Sequence, residues 1–195
     1  MKSKSASIVS LAVLSEMLLV GLAYLLGWLS GEEITWNPSA RHMAIGAATA
    51  APLLLGNHLL WSWTKRNPSS VYARFSQQVV LPLCRAVTLR DAALIALLSG
   101  IGEEVFFRGA LNSFIMAHTT TPIALCATSL LFAYVHFIGH LKQFGAMIPL
   151  YSIVGAILWM IWRATDSLTA VATAHATYNF AVIVTMKYLD SRKTV

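Results

Sequence analysis

Six predominantly apolar runs, separated by short polar segments, divide this chain. They cover about 7–29, 43–63, 91–118, 122–139, 146–162 and 168–189. A helix rises about 1.5 Å per residue, so some 17–25 apolar residues cross a hydrocarbon core of about 30 Å. The pattern therefore predicts an all-α fold, a polytopic transmembrane helical bundle. Pro122, after Thr119-Thr120-Thr121, marks a stop and a restart with proline in a first helical turn. Pro52 predicts a kink in the second run. Gly100 and Gly102 in the third allow either close helix packing or a local break. A break would add helices, so the expectation is six to eight. The whole of 1–195 is read as a single integral-membrane domain, with a core at about 90–180 that carries the motifs below.

The longest polar connection, 65–90, holds Lys65, Arg66, Arg74, Arg85 and Arg90, with no acidic residue before Asp91. Basic loops stay on the cytoplasmic side. Lys2 and Lys4, two crossings earlier, agree, and so does the tail at Arg192-Lys193. Within that connection, 71–83 is mildly amphipathic and is expected along the bilayer surface. Trp61 and Trp63 fit an interfacial aromatic belt. The first run is too long for a signal-peptide core and has no clear small-residue cleavage site, so it is read as a retained span.

Composition sharpens this picture. Of 195 residues 57% are hydrophobic and 11% charged, and the net charge is +6. That is membrane-protein composition. The basic residues sit between apolar runs, and no tract interleaves arginine with aromatics, which argues against nucleic acid as a partner. Cys84 and Cys126 have no CxxC spacing and form neither a disulfide framework nor a zinc knuckle.

The chemistry concentrates in Gly102-Glu103-Glu104-Val105-Phe106-Phe107-Arg108-Gly109. Charge at membrane depth is unfavourable by roughly 2.5–3.5 kcal/mol per group on insertion scales, and ionisable groups there mark function by default. Glu104 and Arg108 are four apart and share a helical face, so they can pair. Glu103 points about 100° away and has Phe107 as its neighbour one turn on. One glutamate is thus neutralised, and the other is spare and placed to act as a general base. Two later runs carry polar clusters with the same spacing, Phe132 with His136 and His175 with Asn179. If these faces meet, a carboxylate, imidazoles and an amide supply what is needed to add water to a carbonyl and to steady the oxyanion. Other polar residues are read more plainly. Glu16 faces the bundle interior or the interface, Glu32-Glu33 belongs to a solvated loop, and His58 is interfacial. His140 lies one turn after His136, a zinc-ligand spacing, but at a span edge, and is taken as interfacial.

Glu103-Glu104-x-x-x-Arg108, Phe132-x-x-x-His136 and His175-x-x-x-Asn179, in this order on apolar helices, resemble the three motifs of the CAAX protease and bacteriocin-processing family, polytopic intramembrane endopeptidases. The resemblance covers about 90–180. It implies that Glu103, with His136, holds and activates water. It implies that His175 and Asn179 form the oxyanion hole, and that Glu104 and Arg108 are a supporting pair. The implied enzyme is a glutamic-type peptide hydrolase with no metal and no cofactor. Its partners are a membrane-associated protein or peptide precursor as substrate, and the lipid bilayer. The expected location is a bacterial inner membrane, with both termini cytoplasmic. Two alternatives stand beside it: a zinc-dependent protease using the same residues, and a non-catalytic membrane scaffold or immunity protein. The residues select no particular substrate and specify no oligomeric state.

Overall fold

The computed structural model describes residues 2–191; the basic tail residues Arg192-Lys193 lie outside them. The described chain is helical and contains no strand. Helix α1 is Lys2–Ser30 and α2 is Ala40–Thr64, continuous through Pro52. Helix α3 fills 71–86, with a wide π-turn at Ser76–Val80. Helix α4 runs over 89–118, α-helical at Leu89–Glu104 and Asn112–His118 and π-helical between, at Val105–Leu111. Helix α5 is Thr121–Phe137. Single turns lead through Met147 to α6, Ile148–Thr165, and then α7, Leu168–Ser191.

Local chemistry sets the ends of these helices. Gly31 ends α1 at φ 71°, and the Glu32 N–H reaches back to the Gly27 carbonyl, a glycine C-cap. The Ser39 hydroxyl caps α2 by accepting from the His42 N–H. Thr88 and Asp91 form a reciprocal capping box at the start of α4.

Among the described residues four stretches are long and apolar enough to cross a membrane: Ser5–Ser30, Ala40–Thr64, Thr121–Thr165 and Leu168–Tyr188. Along α1, Leu11, Leu14, Leu18 and Trp28 are exposed, an apolar outer surface that belongs against lipid. The protein is an integral membrane protein.

Contacts fix how the helices run. On α1 and α4, Ser5 bonds Asp91, Glu16 lies against Gly102, and Ala23 clusters with Val105 and Ala110. Residue numbers rise together, so α4 runs parallel to α1 through the same depth. Asn179 meets Ser99 and His175 meets Glu104, so α7 is antiparallel to α4. Gly46 meets Ala170, and Trp61 packs beside Ile183 and Met186, so α2 runs with α7. Thr121–Thr165 folds back on itself: Phe132 lies on Gly155, and Phe137 on Tyr151. The six apolar runs are thus alternating legs of one bundle.

Three expectations gain detail. The glycines do not break α4; they let neighbours in, and the irregularity is a widening just past the glutamate pair. A Cβ at residue 100 would sit 2.7 Å from the Ala172 carbonyl oxygen and 2.8 Å from the Ala176 Cβ. Gly100→Ala is therefore expected to destabilise the protein by about 1–3 kcal/mol, the usual range for overpacking, measured by thermal unfolding in detergent. The amphipathic 71–83 segment buries Ala73 and Ser76 and packs on the bundle through Phe75. Trp61 also faces inward, onto the cluster of Cys84, Val87, Ile183 and Met186, while Trp63 stays exposed.

Candidate active site

The site assembles where α4, α5 and α7 meet. Because Glu103 and Glu104 are adjacent on a helix, their side chains take different directions. Glu104 turns into the core, with 0% exposure, beside Arg108 at 1%. The Arg108 Nη1 donates to Glu104 Oε1 at 3.1 Å, and Nη2 donates to the Gly155 carbonyl at 2.8 Å. The guanidinium carbon also lies 4.8 Å from the centre of the Phe132 ring, within cation–π range. The same Glu104 oxygen accepts from His175 Nδ1 at 2.7 Å. The sequence reading paired Glu104 with Arg108 alone; the structure makes Glu104 the hub between Arg108 and His175.

Glu103 faces the other way, into a cavity of about 480 Å³. Its Oε2 is buried without a hydrogen-bond partner and lies 3.6 Å from His136 Nε2. His136 Nδ1 is 2.7 Å from the Phe132 carbonyl, which can only accept, so Nδ1 carries a proton and Nε2 is the nitrogen turned to Glu103. His175 and Asn179, one turn apart on α7, line the same cavity. The Asn179 Nδ2 donates to the Ser99 hydroxyl at 2.9 Å, which orients the amide and leaves its second N–H uncommitted.

The six residues to which the resemblance gives roles are therefore brought together: Glu103, His136, His175 and Asn179 around the cavity, Glu104 and Arg108 behind it. His58 and His140 are exposed and lie outside the cavity wall. The i, i+4 spacing of His136 and His140 is lost because α5 ends at Phe137 and the chain tightens to a 3-10 turn at Ile138–His140. Among the described residues no three His, Cys, Asp or Glu side chains group as ligands of one metal ion.

Several cavity residues went unread in the sequence. Ser99 could have been found, since it stands one turn before Glu103. Asn57, Tyr72, Tyr151 and Tyr178 carry no local signal of this kind. Tyr72, on α3, donates to Asn57 Oδ1 at 2.9 Å, and burial pushes its phenol above the usual value, so it remains a neutral donor. The rest of the wall is mainly apolar, with Leu53, Phe75, Ile157 and Met186 among its residues.

A buried acid–imidazole cluster on membrane-crossing helices, opening to an apolar cavity, defines the class: an intramembrane protein built around a polar reaction centre. Residues 85–181 match the family described as type II CAAX prenyl endopeptidase Rce1-like. The matched segment carries all three motifs, and the match agrees with the resemblance seen in the sequence. Helices α1 and α2 and most of α3 lie outside the match. No curated protein and no solved structure matches the chain.

Proposed function

We propose that this chain is an intramembrane endopeptidase of glutamic type, which hydrolyses a peptide bond of a membrane-associated protein or peptide precursor. The observation that carries the reading is the pairing of Glu103 Oε2 with His136 Nε2 across 3.6 Å at the cavity wall, while Glu104 is neutralised behind it. Two acceptors at that separation suit a water molecule that donates a proton to each. Glu103 removes one of those protons as the water oxygen attacks the carbonyl carbon, a contribution of about 10²–10⁴-fold for a positioned base.

The carbonyl oxygen gains charge in that step and needs donors. Asn179 offers its free amide N–H. His175 offers Nε2–H from a doubly protonated ring, its Nδ1–H held by Glu104; the two carboxylates Glu103 and Glu104 together offset the charges of that ring and of Arg108. Arg108 does not touch the reacting atoms; it holds Glu104, and through Glu104 the ring of His175. Substrate reaches this centre along the apolar wall, which suits a segment delivered from the bilayer or its surface. The basic connection 65–90 supports a location in a bacterial inner membrane with both termini on the cytoplasmic side.

The test is cleavage of an internally quenched peptide by the purified protein in liposomes, beside Glu103→Gln, with and without chelator. The reading expects wild-type cleavage that survives chelation and a silent Glu103→Gln protein. Cleavage lost to chelator and restored by zinc would put the metal mechanism in its place. Full biological function in a folded Glu103→Gln variant would instead make the protein a scaffold.

A further inference from the structure

One carboxyl in the cavity has no part in the chemistry above. Glu16 sits midway along Ser5–Ser30, an apolar crossing whose other inward positions include Ala23 and Gly27. A carboxyl is costly at that depth, yet Glu16 is turned into the bundle at 9% exposure and lines the cavity with Glu103, His136, His175 and Asn179. The neighbouring Ser15 hydroxyl donates to the Ala12 carbonyl, and Glu16 Oε2 is buried with no hydrogen-bond partner.

The opposing helix is shaped for it. A Cβ at residue 102 would collide with Glu16 Oε2 and lie 3.0 Å from the Glu16 Cβ. The glycine immediately before Glu103 thus makes the room that Glu16 occupies. The titratable groups that act on it are Glu103 from α4 and His175 from α7; Glu104 and Arg108 on α4 are tied to each other. Tyr72, Tyr151 and Tyr178 share the cavity wall. Glu16 and Glu103 line one cavity, and each keeps one buried oxygen without a hydrogen-bond partner.

We infer that Glu16 is the proton donor of the reaction, the acid opposite the Glu103 base, supplied by a helix outside the matched segment. The inference rests on the endopeptidase reading. As the water oxygen bonds the carbonyl carbon, its proton goes to Glu103. As the C–N bond breaks, the leaving nitrogen takes the proton of Glu16. A proton then passes from Glu103 to Glu16, and the sum is water added across one amide bond.

The leaving group provides the test. An amine must be protonated to depart, whereas a nitrophenolate leaves without a proton. Full-length wild type, Glu16→Gln, Glu16→Asp and Glu103→Gln are compared on the quenched peptide and on a nitrophenyl ester of the same acyl segment. Glu16→Gln is expected to slow peptide cleavage by about 10²-fold or more while ester hydrolysis stays close to wild type. Glu16→Asp, which keeps a carboxyl, should recover part of the peptide rate. The ratio of peptide to ester rates is internal to each preparation, so a partly folded sample still reports it. In wild type the peptide rate should fall at alkaline pH more steeply than the ester rate. An unchanged ratio in both Glu16 variants, with equal alkaline limbs in wild type, overturns the proposal and assigns Glu16 to packing. Glu103→Gln should lower both rates; if it lowers neither, the endopeptidase reading itself is wrong, whatever Glu16 does.

Discussion

Arg108→Ala is expected to lower the unfolding free energy by roughly 3–5 kcal/mol, the cost of leaving one partner of a buried ion pair alone. The guanidinium is 1% exposed and the carboxylate it holds 0%. Removing it strips one donor from Glu104, one from the Gly155 carbonyl and the cation from the Phe132 ring. It therefore loosens α4 from the α5–α6 hairpin as well as leaving Glu104 with His175 as its remaining hydrogen-bond partner. Arg108→Lys keeps the charge but not the planar fork that reaches two acceptors at once, and should fall between wild type and alanine. Thermal or denaturant unfolding in detergent micelles checks both. Equal stability of all three proteins would mean that Glu104 does not depend on this arginine.

This pairing also shows how much the sequence disclosed. Glu104 and Arg108 stand one helical turn apart, and so do His175 and Asn179; local spacing was enough to put each pair on a shared face. That the three faces would converge followed from cost, since charges in lipid need partners. The restart at proline 122 was readable because its effect is local, and the Thr88–Asp91 box, which acts within four residues, was open to the same reading. The π-turns over Val105–Leu111 were not readable, since nothing in Val-Phe-Phe-Arg-Gly-Ala-Leu distinguishes five-residue from four-residue hydrogen bonding. The widening is a response to packing and follows the glutamate pair, a common place for such turns. Gly100 and Gly102 were ambiguous for the same reason. A glycine permits a break or a close approach, and only the neighbours, Ala172 with Ala176 and Glu16, decide which. The bond from His175 to Glu104 joins residues 71 apart, which no local pattern encodes. Glu16 was read as facing the bundle interior or the interface, without chemistry. Its direction was legible from the cost of charge, but the cavity it enters was not.

The contrast between the two adjacent glutamates yields the other large effect. Glu103→Gln should reduce peptide cleavage by about 10²–10⁴-fold, the usual worth of a general base, or about 3–5 kcal/mol of activation free energy at 1.36 kcal/mol per decade. It should leave folding almost untouched. Glutamine has nearly the same shape, and Glu103 Oε2 has no hydrogen-bond partner whose loss would strand a buried group. Glu104→Gln changes the same atoms one residue later with the opposite balance. There the lost charge leaves buried Arg108 without its counter-ion and replaces the carboxylate that holds His175. That variant should unfold more easily and lose cleavage in proportion to both injuries. Measuring cleavage and thermal unfolding on the two variants side by side separates the roles. A Glu103→Gln protein that melts early while its folded fraction still cleaves would exchange them, making Glu103 structural and placing the base elsewhere in the cavity. The expected result, a stable and silent Glu103→Gln beside an unstable Glu104→Gln, follows from which carboxylate is tied down and which one has a free oxygen at the cavity wall.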